Sequence, residues 1–515
     1  MGIFANPLTD LLEYEDFSRD FLKGTDPVGM TGCIDSEKVH FMSTFLGEKK
    51  VQLVVTYNEQ RAREIEEDYK LFCSQVYVIP PRDLIFFSAD LQGNAIIAER
   101  MKAFAALYQN EAKVIITTMD ALMSAAVPFE QLMSHVIKLK EGDELDLEKL
   151  KHDLTVMGYE RVGRVEEPGQ FTVHGGIADV YPLTMEVPVR IELWGDEIDT
   201  IRCFEPQSQR SMDQIECVSV FPAAEVIADD TARRRAVGMI QNELESQLAV
   251  FKKAKEPDKA KRLREETNRI LEALGEDVVL EAPDSYISYF YPRTVQLSEY
   301  FDEKNTLVFL DEPMRLKERG DGVQAEFEES MKNRLEQGFL LPGQTALLTP
   351  AKHVLAAFER GQVAALSSLD SRLADFTVVN SYAVNVQNMN TYREGFELLI
   401  KDLTHWKKEK YRIVLLCPSR TRANRIVNQL IEYDLLAYYS EDEDKKINPG
   451  EIMVTYGNLH RGFLYPMLKF AVITESDIFG VKKKKKEKKS HYQGQRISDF
   501  AQLKPGDYVV HENYG

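Results

Sequence analysis

The stretch VQLVVTYNEQRAREIEEDYK, residues 51–70, places an apolar run directly before a charged segment with helical spacing. Short apolar runs such as 51–55 are typical of strands that are covered on both faces. Two more strand patterns follow, SQVYVIP (74–80) and KVIITT (113–118), and a helical pattern at 94–110 separates them. Strands that alternate with helices of this length predict βαβ units and a parallel sheet.

Upstream of this unit, VGMTGCIDSEK (28–38) resembles the start of a phosphate-binding loop. Aligned with the pattern GxTGSGKT, the loop comprises Gly29, Thr31, Gly32, Cys33, Ile34, Asp35 and Ser36. Such loops need bare backbone N–H groups near the phosphates and a lysine that attracts them. Ile34 adds a branched side chain where the motif has glycine, and Asp35 repels phosphate where the motif has lysine. We therefore expect a degenerate loop that binds no nucleotide.

An acidic pair, Asp311 and Glu312, follows the apolar run NTLVFL (305–310). In nucleotide enzymes a pair of this kind lies on the metal side of the phosphate loop. An acidic pair after a strand is also typical of a helix cap or a turn. Both interpretations stay open from the residues alone.

The alternation of strands and helices ends further along the chain. Short strands divided by Gly, Pro and Asp turns predict a small, mostly antiparallel domain between about 128 and 225. A long helical pattern follows at 230–274, and the segment 392–435 reads as helix, strand and helix, with a closing strand at 469–476. The fold class expected is therefore multidomain α/β.

Charge limits the classes of function. The formal net charge is −19, although KKKKKEKK at 482–489 contains seven lysines and one glutamate. An acidic surface repels a phosphate backbone, so most of the chain is a poor DNA-binding surface. The lysine run itself has two readings, a disordered tether or a non-specific nucleic-acid contact.

Targeting and cysteine signals are weak. The five cysteines stand singly without a CxxC pair, which argues against a disulfide framework or a zinc site. The N-terminus lacks the pattern of a signal peptide, and no run approaches the ~20 apolar residues of a membrane span. We expect a cytoplasmic protein.

The strand VPVRIELWG (187–195) alternates strictly. Val189, Ile191 and Leu193 share one face, and Arg190, Glu192 and Trp194 share the other. If the first face is core, Arg190 and Trp194 point to solvent, and exposed Trp and Arg are enriched at interface hot spots. The alternative is that Trp194 covers a local apolar patch while Arg190 pairs with Glu192 or Asp196.

Longer stretches carry a family resemblance. GYERVGRVEEPGQFTVHGGIADVYP (158–182) and VPVRIELWGDEIDTIRCFEPQSQRS (187–211) resemble the UvrA-binding domain of the excision-repair helicase UvrB, and residues 51–70 resemble the segment after its phosphate loop. Together with the degenerate loop, FAVITESDIFG (470–480), the lysine run and LKPGDYVVHENYG (503–515), they resemble the N-terminal half of bacterial transcription-repair coupling factors.

The resemblance implies a fold and a set of domains. The fold is a degenerate P-loop, helicase-like α/β domain with an inserted small α+β domain, followed by a second small α/β domain. The implied domains are a UvrB-like α/β domain in two parts (1–127 and 226–388), an inserted UvrA-binding domain (128–225), a small α/β domain (389–480), a Lys-rich linker (481–498) and the truncated start of an RNA-polymerase-interacting domain (499–515).

The resemblance also implies a function: a scaffold that recruits UvrA to RNA polymerase stalled at DNA damage. Arg190, Trp194 and His174 fall at the family's UvrA contacts, although the family has arginine where this chain has His174. The segment itself is expected to hold no catalytic residue, cofactor or metal, because the motor that uses ATP and Mg and binds DNA lies in the missing half. The DNA-gripping β-hairpin of UvrB has no room between 79 and 94.

Two other functions remain as alternatives. One is a nucleic-acid-binding module that acts through the lysine run, and the other is a residual ATPase or helicase domain.

Overall fold

The computed structural model describes residues 7–47, 50–82, 94–275, 283–370, 376–392, 395–442 and 445–480. The strands are β1 (Val28–Thr31), β2 (Val51–Thr56), β3 (Val76–Ile79), β4 (Val114–Thr118), β5 (Ala125–Ala126), β6 (Ile137–Lys140), β7 (Glu160–Arg161), β8 (Gln170–His174), β9 (Ile177–Val180), β10 (Val189–Trp194), β11 (Glu197–Phe204), β12 (Ser211–Gln214), β13 (Cys217–Val220), β14 (Val295–Gln296), β15 (Thr306–Asp311), β16 (Val363–Ser367), β17 (Asn380–Ala383), β18 (Gln387–Asn388), β19 (Arg412–Cys417), β20 (Ala437–Tyr439), β21 (Ile452–Tyr456), β22 (Phe463–Tyr465) and β23 (Phe470–Thr474).

The α-helices are α1 (Leu12–Lys23), α2 (Asp35–Ser43), α3 (Glu59–Tyr69), α4 (Asn94–Tyr108), α5 (Met119–Met123), α6 (Phe129–Met133), α7 (Leu147–Val156), α8 (Asp230–Lys253), α9 (Pro257–Gly275), α10 (Ile287–Phe290), α11 (Pro313–Gln337), α12 (Ala351–Ala356), α13 (Phe396–Lys408), α14 (Arg420–Glu432) and α15 (Glu475–Phe479). Short 3-10 helices cover Pro283–Tyr286, Leu297–Tyr300 and Pro342–Thr345.

A seven-stranded parallel sheet forms the main layer, in the order β17-β1-β16-β15-β2-β4-β3. Its strands come from two separate parts of the chain, 28–118 and 306–383, as the βαβ pattern and the resemblance predict. Alternate residues of β2 serve different cores: Leu53 and Val55 face one hydrophobic cluster, and Val54 faces the other. This two-sided burial explains why the run at 51–55 is mostly apolar.

A second sheet is built from the chain between these two parts. It runs β12-β11-β10-β9-β8-β7, and its pairs are antiparallel except for β7 with β8. One face packs on α7 through Leu150 and Leu154. The mostly antiparallel character expected for this region is confirmed, while the domain limits at 128 and 225 stay a prediction.

The third sheet has the order β18-β22-β23-β19-β21-β20. One face forms a core with α13 and α14, and the other face shares a core with α2, α3 and the main sheet. Leu416 and Met453 of this sheet therefore belong to the same buried cluster as Val54 of the main sheet. Helices α2 and α3 lie in a layer between two sheets.

The long helical pattern at 230–274 is two helices rather than one. Helix α8 ends at Lys253 and α9 begins at Pro257, because Lys255 adopts a left-handed φ of 60° and Pro257 supplies the first residue of the next helix. The helix-strand-helix pattern at 392–435 and the closing strand are confirmed as α13, β19, α14 and β23.

Some expectations fall outside the described residues. They are the segment between 83 and 93, where the absence of a UvrB-type hairpin was expected, the lysine-rich linker and the final β-rich element. In the part of the chain that the structure describes, no helix is long and apolar enough to cross a membrane.

Candidate functional site

The phosphate-loop remnant has a strand-loop-helix shape, but backbone of the same chain near Ser367 and Val384 packs against the loop. Gly32 has a φ of +82°, and a Cβ atom placed on it would lie 2.0 Å from the carbonyl oxygen of Val384. The N–H of Cys33 donates to the Ser367 carbonyl at 3.2 Å, and the N–H of Ile34 donates to Glu37 Oε2 at 3.1 Å. A phosphate that used these two amides would have to displace both bonds.

A segment of the third sheet lies across the start of α2. The backbone N–H of Arg461 donates to Ser36 Oγ at 3.0 Å, and the Arg461 guanidinium lies 3.5 Å from the Asp35 carboxylate. The neighbouring N–H of His460 donates to Asp68 Oδ1 at 2.5 Å. The two residues that align with the motif's Lys and Thr therefore contact another domain of the same chain.

Lys38, which the sequence analysis did not single out, is the buried cation of this region. Its Nζ lies 2.6 Å from Asp311 Oδ1 and 2.7 Å from Glu312 Oε1. Asp311 also accepts from Thr56 at 2.8 Å and lies 3.4 Å from Arg61 Nε. Burial opposes ionisation of Asp311, yet Lys38 and Arg61 hold its pKa at about 2.

The structure gives the acidic pair partners that neither interpretation named. Glu312 stands at the N-cap position directly before α11, with a left-handed φ of 55°, but its side chain caps no backbone N–H of that helix. It accepts instead from Lys38 and from the N–H of Ser368. Asp311 is already compensated by a lysine and an arginine, so the pair lacks the open anionic character of a metal site. Within the described ranges no cluster of His, Cys, Asp and Glu has the form of a metal site.

Glu37 is the second buried charge on α2. Burial raises its pKa to about 7, and hydrogen bonds from Tyr465 Oη at 2.6 Å and from the N–H of Ile34 offset only part of that effect. Tyr465 also lies 3.2 Å from His40 Nδ1. These polar groups belong to α2 and to the third sheet, so they join the two domains.

The inserted sheet offers a different kind of surface. Opposite the face covered by α7, two cross-strand rows run over β8, β9, β10 and β11. The rows are Thr172, Asp179, Arg190 and Arg202, and then His174, Ile177, Glu192 and Thr200. We call this the outer face. The alternation predicted for 187–195 is confirmed, since Val189 and Ile191 are buried on the opposite side.

Trp194 stands on the outer face with 84% of its surface exposed. The reading in which it covers a local apolar patch is therefore wrong. His174 is also exposed, and Ile177 beside it in the register is 41% exposed. A large aromatic ring and a branched apolar side chain in water are typical of a contact surface rather than of a folded core.

Arg190 differs from the alternatives that the sequence left open. Its partner is neither Glu192 nor Asp196 but Asp179, its direct neighbour on β9, with Nε–Oδ1 at 2.8 Å and Nη2–Oδ2 at 2.7 Å. The guanidinium also lies 4.7 Å from the ring centre of Phe204, which is buried. Only 21% of the Arg190 side chain is exposed. Arg190 is therefore half-buried in the sheet, and only the edge of its guanidinium is exposed on the outer face.

The sequence identified site residues that follow from a local pattern, and it missed those that depend on contacts with distant residues. Trp194 follows from the two-residue period of a strand. Lys38, Glu37 and Asp179 depend on partners that lie 273, 428 and 11 positions away, respectively. The Gly175–Gly176 turn fixes the pairing of β8 with β9, but the sequence carries no signal for the register of β9 with β10.

The fold and site together define a multidomain α/β protein with a split parallel sheet, an inserted antiparallel sheet and a filled phosphate loop. Family models match two parts of it: the UvrB interaction domain at residues 137–225 and the MFD, D3 domain at residues 405–478. The first match contains the whole outer face, and the second lies within the third sheet and its helices.

Curated relatives extend the match to nearly the whole chain. A transcription-repair-coupling factor of Bacillus subtilis is 29% identical over 517 residues, which cover 99% of this chain and 43% of the relative. Proteins of the same name from Staphylococcus epidermidis and Staphylococcus aureus are 28% and 25% identical, each over 100% of this chain and 43% of the relative. Over nearly its whole length, the chain is therefore similar to proteins named transcription-repair-coupling factor. It spans 43% of the length of these relatives.

The first prediction concerns Lys38. Replacement by Met leaves the Asp311 carboxylate buried with a weaker set of partners, so Lys38→Met should lower the free energy of unfolding by about 3 kcal/mol or more. Adding Asp311→Asn should recover part of that loss. Urea unfolding measures both variants, and Lys408→Met on the exposed end of α13 is the control. A Lys38→Met chain as stable as the control contradicts the assignment.

The second prediction concerns pH. The ordinary pKa of a glutamate is 4.5 and that of Glu37 is about 7, so the folded chain binds a proton more tightly than the unfolded chain. Its contribution to stability is full below about pH 4.5 and is lost as pH rises through about 7. Asp68, whose pKa burial raises to about 6, acts in the same direction.

We therefore expect the free energy of unfolding to fall between about pH 4.5 and 7, and Glu37→Gln to flatten that slope. Exposed Glu67→Gln serves as the matched control. A Glu37→Gln chain with the wild-type pH profile would show that the carboxyl titrates normally.

Proposed function

We propose that this segment recruits UvrA to RNA polymerase stalled at DNA damage, with the outer face as the UvrA contact. The observation that carries the proposal is Trp194, 84% exposed on an open sheet face inside the region that matches the UvrB interaction domain. An exposed indole supplies a large desolvated area when a partner covers it. Arg190 at the same face adds a charge-assisted contact.

The pairing of Arg190 with Asp179 shapes this contact. The carboxylate occupies the Nε and one Nη2 donor, so Nη1 and the guanidinium edge remain for a partner. A fixed guanidinium loses little side-chain entropy on binding. His174 contributes a smaller group without a guanidinium, at the position where the family that the chain resembles has arginine.

We further propose that the segment has no nucleotide site. The filled loop, the engaged amides of Cys33 and Ile34, and the Lys38 pair support this view. The parallel main sheet and the strand-loop-helix unit at its start support descent from a helicase-like domain. The ATP-driven DNA translocase, with its ATP and Mg, and the contact with RNA polymerase are assigned to the length of the relatives that this chain does not span.

The third prediction separates binding from folding on the outer face. Trp194→Ala should cost about 2 kcal/mol or more of UvrA affinity and leave the melting temperature unchanged, because the ring is exposed. Leu436→Ala, at another exposed apolar residue directly before β20 of the third sheet, should change neither quantity. Calorimetric titration with purified UvrA and thermal melting measure the two effects.

Arg190→Ala should behave differently because Asp179 would lose both donors. We expect lower UvrA affinity together with about 1–3 kcal/mol of lost folding stability. Adding Asp179→Asn should recover stability but not affinity. His174→Arg should strengthen binding. Full UvrA affinity in both Trp194→Ala and the Arg190→Ala/Asp179→Asn double variant would place the contact elsewhere.

The fourth prediction tests the loop. Calorimetric titration with millimolar ATP should show no saturable binding to the wild-type chain, and Asp35→Lys alone should not create any. The reason is that Val384, the engaged amides and the Arg461 segment still fill the site. A saturable ATP site that disappears on Asp35→Ala would overturn the proposal.

A further inference from the structure

The turn between α8 and α9 is strongly basic in a chain whose net charge is −19. Seven of the thirteen residues from 252 to 264 are Lys or Arg, and only Glu256 and Asp258 are acidic. We call this segment the basic tip. It belongs to neither the outer face nor the phosphate-loop remnant.

Much of this charge is not compensated. Lys252, Lys253, Lys255 and Arg264 are exposed, and among the described residues none of them forms an ion pair. Lys259 does pair with Glu256 at 2.9 Å, and Lys261 lies 3.8 Å from Glu265. The tip therefore presents a cluster of free cations from the last turn of α8 and the first turns of α9.

The basic tip is held in place by α11. Arg262 lies 4.6 Å from the ring centre of Phe339 and donates to the Gln337 carbonyl at 2.9 Å. A Cβ on Gly338 would lie 2.6 Å from the Lys259 carbonyl oxygen, so the two helix ends are in close contact. Since the backbone beneath the cations is packed, ordering them on a ligand costs mainly side-chain entropy.

We propose that the basic tip binds the sugar-phosphate backbone of duplex DNA without reading its sequence. Lysine and arginine that neutralise phosphates release condensed counterions, which is the main source of non-specific DNA affinity. The acidic remainder of the chain repels the same polyanion, so it limits the contact to the tip and orients the protein on the duplex. The inference is independent of the proposed UvrA contact.

One other occupant fits part of the geometry. Leu248, Ala249 and Ala260 form an apolar floor between the cations, and an acidic protein segment with apolar side chains would match it. The repeated free cations favour DNA, since they extend past the floor to Lys253 on the exposed side of α8. The test distinguishes the two.

The experiment measures binding of a fluorescent duplex of about 20 base pairs by anisotropy, across a salt series from about 20 to 200 mM. The proteins are the intact chain and the chain lacking 482–489, so that the lysine run is accounted for. The test variant is Lys252→Gln/Lys253→Gln/Arg264→Gln. The control is Lys401→Gln/Lys408→Gln/Lys410→Gln, which removes the same charge from exposed positions on and next to α13.

In the chain lacking 482–489 we expect the test variant to bind DNA at least about tenfold more weakly, with a salt slope smaller by roughly 2–3, and the control to change affinity less than about twofold. Equal losses in both variants would show a general charge effect and overturn the proposal. So would undetectable DNA binding at the lowest salt, or a test variant that loses affinity for a random Glu/Leu copolymer but not for DNA.

Discussion

The ammonium of Lys38 and the carboxylate of Asp311 meet 2.6 Å apart inside the protein, and they come from positions 273 residues apart. Lys38 belongs to the first part of the split sheet domain and Asp311 to the second, with the inserted domain between them. A buried charge is costly unless it is paired, so this contact requires both parts to be in place. Thr56 and Arg61 complete the site around Asp311.

The same pair changes the chemistry of the phosphate-loop remnant. A working site keeps its acidic residues and its loop amides open to a bound nucleotide. Here the acidic residues are neutralised from inside, and the third sheet covers the start of α2 through Arg461 and Tyr465. Every residue of α2 from Ser36 to Ser43 is buried as a result. The phosphate-loop remnant and α2 therefore form part of the interface between the main sheet and the third sheet.

The inserted sheet shows the opposite arrangement. It buries one face on α7, and the other face is exposed at Ile177 and Trp194, although Thr172 and Asp179 on that face are buried. Its exposed face combines a free indole with an arginine held by its cross-strand partner. An exposed aromatic ring on this face supports the proposed contact with UvrA. The basic tip adds a second contact of different chemistry at the end of a helical hairpin.

The sequence by itself determined the parts that depend on local period. The apolar run at 51–55 and its neighbours predicted the parallel strands, and the alternation at 189–194 placed Trp194 on the open face. The substitutions Ile34 and Asp35 were enough to indicate a degenerate loop. The break at Lys255 was missed, because a non-glycine left-handed residue has no strong sequence signal, although Pro257 is consistent with a new helix start.

Only the tertiary structure decided the partners of the charged groups. The alternation of the strand allows Arg190 either to point to solvent or to pair with Glu192 or Asp196, whereas β9 brings Asp179 opposite it. The sequence does not mark Lys38, because its ion pair with Asp311 forms only when α2 and β15 pack together. The physical reason is that the alternation of side chains along a strand or helix depends on neighbouring residues. Ion pairs and burial depend instead on which distant segments pack together in the folded chain.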